Sequence, residues 1–325
     1  MSSPLGTPRV RPPRLVPQTG PALWQAGELS PSDWMIPLGQ EAEAELDAAI
    51  TALGGRRPER AAEVPLPTLS PVIADLRARL EHGRGFALLR GLPFDRHGTA
   101  GAEALLLALG LHLGIPLPQD AAEPGGPVTH LASAPIGGAT AAPFHADPCD
   151  AVLLLCLRQP PASGASALIS AMAVHNALLK RDRAALEALY QPLPHREADG
   201  SVAARPVFSV TGGAFSARYN RAAIEDAAAT PGVAPLEPAQ RAALDALDAA
   251  CTDPALALRM ETRPGDLLCF NPQLVWKRRS PPAAGPAEAP DRTREFLRLR
   301  LLTANSRTAA AAAAPSVPPP APWQG

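Results

Sequence analysis

The chain has 325 residues, 46% of them hydrophobic, with a formal net charge of −1 at pH 7. That length suits one large domain with a sizeable core, and the near-neutral balance argues against nucleic acid or another polyanion as a partner. No apolar stretch reaches the roughly 18 residues of a membrane span, and 40 prolines favour a loop-rich β-sandwich or jelly roll over a helical bundle.

Residues 1–20 read as a disordered, proline-rich tail without the apolar core of a signal peptide. Apolar spacing predicts a helix over 41–53 and another over 70–80, the latter capped by Ser70 with Pro71 in its first turn. A strand over 85–92 follows, then a buried helix over 102–113 in which His112 is a satisfied core or capping histidine. Residues 116–143 are rich in Gly, Pro and Ala. Next come Phe144-His145-Ala146-Asp147 and the apolar run 151–157. On an extended strand residues i and i+2 share a face, so the His145 imidazole and Asp147 carboxylate can converge on one point. One nitrogen and one carboxylate oxygen suit Fe(II), whose usual protein site adds a second histidine. That histidine is expected far downstream, and none lies beyond His195, the seven histidines being 82, 97, 112, 130, 145, 175 and 195.

Residues 171–190 read as a single helix, and 206–219 as a hairpin around Thr211-Gly212-Gly213. Residues 238–251 form an amphipathic helix, and Arg263-Pro264-Gly265-Asp266 turns into a strand. The cluster Lys277-Arg278-Arg279 reads as a solvated edge. The loop 280–290, dominated by Pro and Ala, separates it from Arg294 and Arg298, and 306–325 is a disordered Ala/Pro-rich tail. The single domain is therefore expected to span 21–305. Four cysteines, 149, 156, 251 and 269, lack CxxC spacing and lie mostly in apolar runs, which implies buried thiols and a cytoplasmic setting. No GxSxG, GxGxxG, Walker or HExxH motif occurs in a credible context.

Several of these segments together resemble the taurine dioxygenase-like (TauD/TfdA) family of Fe(II)/2-oxoglutarate oxygenases. They are Gly85-Phe86-Ala87-Leu88-Leu89-Arg90-Gly91-Leu92-Pro93, the His145/Asp147 pair, the Ser163 to Ser170 segment, and Arg294 with Arg298. The resemblance implies a double-stranded β-helix (jelly roll) of the clavaminate synthase-like kind, mostly β with flanking helices. It implies Fe(II) on His145 and Asp147, 2-oxoglutarate on Ser166 and Arg294, and Arg298 on an acidic substrate. A planar guanidinium suits a carboxylate, since it offers two parallel hydrogen bonds and stays charged.

One position departs from the family pattern. The segment Asn271-Pro272-Gln273-Leu274-Val275-Trp276-Lys277-Arg278-Arg279 puts Lys277 where the family carries its second histidine. An ammonium about 4 Å from a divalent ion is repelled by on the order of 8 kcal/mol at an effective dielectric near 20. Neutralising it at pH 7 costs about 4 to 5 kcal/mol. Lys180 and Lys277 are the chain's two lysines, every other basic side chain besides histidine being arginine. Either Lys277 occupies the ligand position as a tethered cation beside Asp147, or it points to solvent. The sequence thus supports a dioxygenase acting on a small organic substrate, with a non-catalytic descendant that binds a small carboxylate or a protein partner as the alternative.

Overall fold

The computed structural model describes residues 14–118, 126–133, 143–160, 165–197, 200–279 and 293–304. Its strands are β1 (Met35–Pro37), β2 (Phe86–Arg90), β3 (Ile115–Pro116), β4 (Val128–Ser133), β5 (Ala151–Arg158), β6 (Ser166–Ser170), β7 (Leu193–Arg196), β8 (Val202–Arg205), β9 (Phe208–Thr211), β10 (Ala214–Ala217), β11 (Ala257–Met260), β12 (Leu267–Phe270), β13 (Val275–Arg279) and β14 (Arg294–Leu302). Its helices are α1 (Pro31–Trp34), α2 (Gln40–Leu53), α3 (Ser70–Glu81), α4 (Gly98–Leu113), α5 (Ala171–Arg181), α6 (Arg183–Leu189), α7 (Arg221–Ala228) and α8 (Pro238–Cys251).

The large sheet runs β1-β2-β12-β5-β14-β3, with β4 also paired to β14, and a smaller sheet runs β11-β6-β13. The two sheets are the layers of a jelly roll flanked by helices, the architecture expected from the sequence. The central strands are buried on both faces, so alternate residues feed different cores. Ala87, Leu89, Leu153, Leu155, Leu267, Cys269, Leu297, Leu299 and Leu301 join the apolar faces of α2, α3 and α4 in one cluster. Their neighbours Phe86, Leu88, Val152, Leu154, Cys156, Leu268, Phe270 and Phe296 point the other way, into the space between the sheets.

Local chemistry explains most element boundaries. Pro238 opens α8 at its first position, with Gln240 reaching back to the Glu237 amide at 2.8 Å. Gly212 and Gly213, at φ of 58° and 81°, make the two-residue turn of the β9–β10 hairpin. Two expectations are corrected. Ser70 is the first helical residue of α3, and Leu69 is its cap. The Glu45 carboxylate, from another helix, takes the Thr68 and Leu69 amides at 2.8 and 2.9 Å, so the termination is tertiary. The helix over 171–190 is two helices, because Asp182 leaves helical geometry and its carboxylate accepts from the Ala185 amide at 2.9 Å, restarting the chain as α6. Within the expected N-terminal tail, Leu15 is buried, and Gln18 donates its amide to Asn176 Oδ1 and accepts from Asn176 Nδ2. The first 13 residues, the 280–290 loop and the C-terminal tail lie outside the described residues.

The Arg90 guanidinium forms a two-pronged pair with Asp266, at 2.9 and 2.8 Å. Asp266 is 1% exposed and also accepts the Arg263 amide, so this pair ties β2 to the turn entering β12. Arg90→Ala leaves a buried carboxylate without its counter-charge and should cost about 3 kcal/mol in denaturant unfolding.

His175 is fully buried, with Nε2 against the Tyr190 hydroxyl at 3.0 Å and Nδ1 against Asn176 Oδ1 at 3.1 Å. Burial pulls its pKa below the ordinary value of 6.5, as it does for His195. The unfolded chain therefore takes up protons that the folded chain resists. Stability is full above about pH 6.5 and falls as the pH drops below it, by at most about 1.4 kcal/mol per pH unit for each group. Urea unfolding between pH 7.5 and 5.5 should display this loss, with a shallower slope in His175→Gln; an equal slope in the variant would remove His175 as a source.

Candidate active site

The corner between β12 and β13 sets the site. The Asn271 amide donates to the Gly85 carbonyl at 2.8 Å, the Val275 amide to the Asn271 carbonyl at 2.9 Å, and the Gln273 amide to Asn271 Oδ1 at 2.9 Å. Gly85 sits at φ 81°, and a Cβ there would lie 2.9 Å from Val275 Cγ2, so the contact requires glycine on both counts. From this corner β13 runs antiparallel to β6, with Lys277 opposite Leu168 and Arg279 opposite Ser166.

On its other side β13 meets His145. The His145 amide donates to the Lys277 carbonyl at 3.1 Å and the Lys277 amide to the His145 carbonyl at 3.2 Å. The His145–Asp147 segment is therefore a single bridge rather than the continuous strand expected, followed by a bend through Asp150. Directly paired residues share a face, so Lys277 stands beside the His145 imidazole. His145 Nδ1 lies 3.2 Å from the Pro143 carbonyl, which assigns the proton to Nδ1 and leaves Nε2 as an acceptor. Arg278, on the opposite face of β13, sets its guanidinium 4.6 Å from the Phe144 ring centre. Trp276 packs on Phe208 and Tyr219.

The third wall is β14. Its alternation sends Leu297, Leu299 and Leu301 to the helices and Arg294, Phe296, Arg298 and Arg300 to the interior. Arg294 is 4% exposed; its Nη2 donates to Ser166 Oγ at 3.2 Å, and its guanidinium lies 4.8 Å from the Phe296 ring centre. Among the described residues no carboxylate pairs with it. Arg298 reaches Asp147 Oδ1 at 3.4 Å, an ion-pair contact more than a well-formed hydrogen bond.

Electrostatics follow from this crowding. Burial brings Lys277 down to about 8; the Asp147 carboxylate opposes the shift, and Arg294, Arg298 and Arg279 add to it. Burial, then Arg279, brings Arg294 to about 10. Burial also lowers His145, with Asp147 pulling the other way and Lys277 adding to the fall. Cys156 is pushed up to about 11 and Cys149 well above its ordinary value, mainly by burial, so both thiols are held protonated.

The structure thus gathers His145, Asp147, Lys277, Ser166, Arg294 and Arg298 in one interior region. Lys277 does not point to solvent, and the solvated edge expected of Lys277-Arg278-Arg279 is corrected to a half-buried strand end. Two interior cations were missed. Arg300 was legible from the two-residue period of β14, whereas Arg279 depends on the β6–β13 register, which no local pattern encodes. No group of three or more His, Cys, Asp or Glu side chains that could hold a metal ion occurs among the described residues.

Comparison with known proteins gives a consistent result. FR-33289 synthase from Streptomyces rubellomurinus (strain ATCC 31215) is 27% identical over 314 residues, covering 90% of this chain and 92% of the relative. An asparagine oxygenase structure with Fe(II), 2S,3S-3-hydroxyasparagine and succinate superposes with a TM-score of 0.64 at 21% identity, covering 83% of this chain and 94% of that one. The non-heme iron oxygenase OrfP with Fe and alpha-ketoglutaric acid gives 0.60 at 17% identity, covering 83% and 93%. Residues 49–299 match the model of the taurine catabolism dioxygenase TauD, TfdA family, and the chain belongs to that family.

Proposed function

We propose that the chain is an Fe(II)/2-oxoglutarate-dependent dioxygenase that oxidises a small, carboxylate-bearing organic substrate. The observation carrying this reading is Arg294: a buried guanidinium with no carboxylate partner among the described residues, bonded to Ser166 across the gap between the sheets. Such a group is costly to bury alone and is matched by an anionic ligand that it can grip through two bonds. His145 Nε2 and the Asp147 carboxylate fit a ferrous ion as a two-residue donor set. Lys277 supplies no imidazole and weakens that set.

In this reading Arg294 and Ser166 hold the far carboxylate of 2-oxoglutarate and fix its direction. The Pro143 carbonyl fixes the tautomer and rotation of His145. Arg298 steadies Asp147 and faces the acidic group of the substrate. The amino acids named in the related structures, hydroxyasparagine and L-Arg, bear such a group. Iron with bound 2-oxoglutarate supplies oxygen activation coupled to loss of carbon dioxide. The protein contributes orientation and an interior that excludes water. The buried, protonated thiols suit a cytoplasmic enzyme, and no described helix is long and apolar enough to cross a membrane.

Anaerobic Fe(II) titration with 2-oxoglutarate should produce the weak visible band of the iron–keto acid chelate in the wild type. Lys277→His should tighten iron binding by about tenfold or more, the scale on which even outer partners of a metal site act. A band confined to the histidine variant would instead mark the wild type as a non-catalytic carboxylate binder. Arg294→Ala should raise the KM for 2-oxoglutarate by about 10- to 100-fold, the loss expected of a charge-assisted hydrogen-bonded contact, in an assay of succinate release.

A further inference from the structure

Taking the Arg294–Ser166 pair as the keto-acid site, we propose that the Lys277 ammonium holds the C1 carboxylate of 2-oxoglutarate while Arg294 and Ser166 hold the C5 carboxylate. The keto acid is then gripped at both ends by the protein's own side chains. This extends the reading above and rests on it. In a site completed by two histidines and a carboxylate, the C1 end has the metal as its anchor. Here the position beside His145 carries a cation.

The strand register gives the spacing. Ser166, which receives Arg294 Nη2, is paired with Arg279; Leu168 is paired with Lys277. The two pairs share a face and stand two residues apart, roughly 6.6 Å along the strand. A five-carbon chain with bonds of about 1.5 Å spans roughly 5 Å between its terminal carbons, and a hydrogen bond of about 3 Å at each end brings the donor-to-donor reach to roughly 11 Å, so the Arg294 guanidinium and the flexible lysine stem splay outward from the two pairs to meet it. Asp147 alone does not satisfy the charge there. Arg298 already sits on it, and Lys277 also feels Arg294 and Arg279. A dianion with one carboxylate at each end answers that surplus of cations. The lysine is suited to the C1 end because its point charge needs no fixed plane, leaving the keto oxygen free.

The test is calorimetric titration of the full-length protein, stripped of metal by a chelator, with 2-oxoglutarate and with glutarate, which keeps both carboxylates but lacks the keto group. The wild type should bind both within a few-fold of each other. Lys277→Met and Lys277→Gln should each weaken metal-free binding by about tenfold or more, as expected for a charge-assisted contact. Lys277→His should lose metal-free binding and recover 2-oxoglutarate, but not glutarate, when Zn(II) is added. No metal-free binding by the wild type, or equal affinity in both neutral variants, would overturn the assignment. If Arg294→Ala weakens binding while the Lys277 variants do not, the lysine assignment alone falls. If Arg294→Ala also binds as the wild type does, the keto-acid reading of the Arg294–Ser166 pair falls with it.

Discussion

The middle strands of the large sheet have apolar surroundings on both faces, and a side chain in them can point only toward the helices or toward the small sheet. In β14 that constraint separates a leucine stripe at 297, 299 and 301 from a row of arginines at 294, 298 and 300 broken by Phe296. The leucines contribute the burial that holds α4 against the sheet, about 1.5–3 kcal/mol for each fully buried side chain. The arginines are carried inward by the same pleat, whatever their desolvation costs. A slip of one residue would put the cations under the helices and the leucines in the site, so the packing of the outer core also fixes the chemistry of the inner one.

Burying these cations is unfavourable, and burial first, then the neighbouring guanidinium charges, holds Lys277 and Arg294 below their ordinary values. A protein can relieve it by supplying acidic partners, as it does for Arg90 with Asp266, where the pairing is structural. Near Arg294 the described residues provide a serine hydroxyl, an aromatic ring and a second guanidinium instead. With no carboxylate partner among the described residues, that charge is what the proposed keto-acid site would offer a ligand, and Arg90, matched by Asp266, has none to offer.

Local pattern was enough for much of this architecture. The α8 helix, the β9–β10 hairpin and the apolar run of β5 are written in short-range sequence, and each appears where its residues indicate. What escaped was tertiary in origin. Asp182 broke a helix because its carboxylate found the next amide, and Glu45 capped a helix that is distant in sequence. The short strands β1, β4 and β11 exist because a neighbour was available to pair with them. In the site, His145, Asp147, Ser166 and Arg294 were recognisable by motif. That Lys277 faces inward could be settled only by its bridge to His145, since residues so far apart in sequence meet through the corner at Asn271.

The choice of lysine at that corner is itself informative in a chain that otherwise uses arginine for nearly every cation. An arginine at 277 would bring a rigid planar fork into a region already holding Arg279, Arg294 and Arg298, and it would stay charged however crowded it became. Lysine offers a compact charge on a bendable stem. Because the β13 backbone is pinned on one edge by β6 and on the other by His145, freedom at this position resides in the side chain alone. The result is a fixed wall with one adjustable cation set between the histidine–aspartate pair and the arginine–serine pair. That arrangement offers an anion a charge on a mobile stem, which a neutral second imidazole at this position would not.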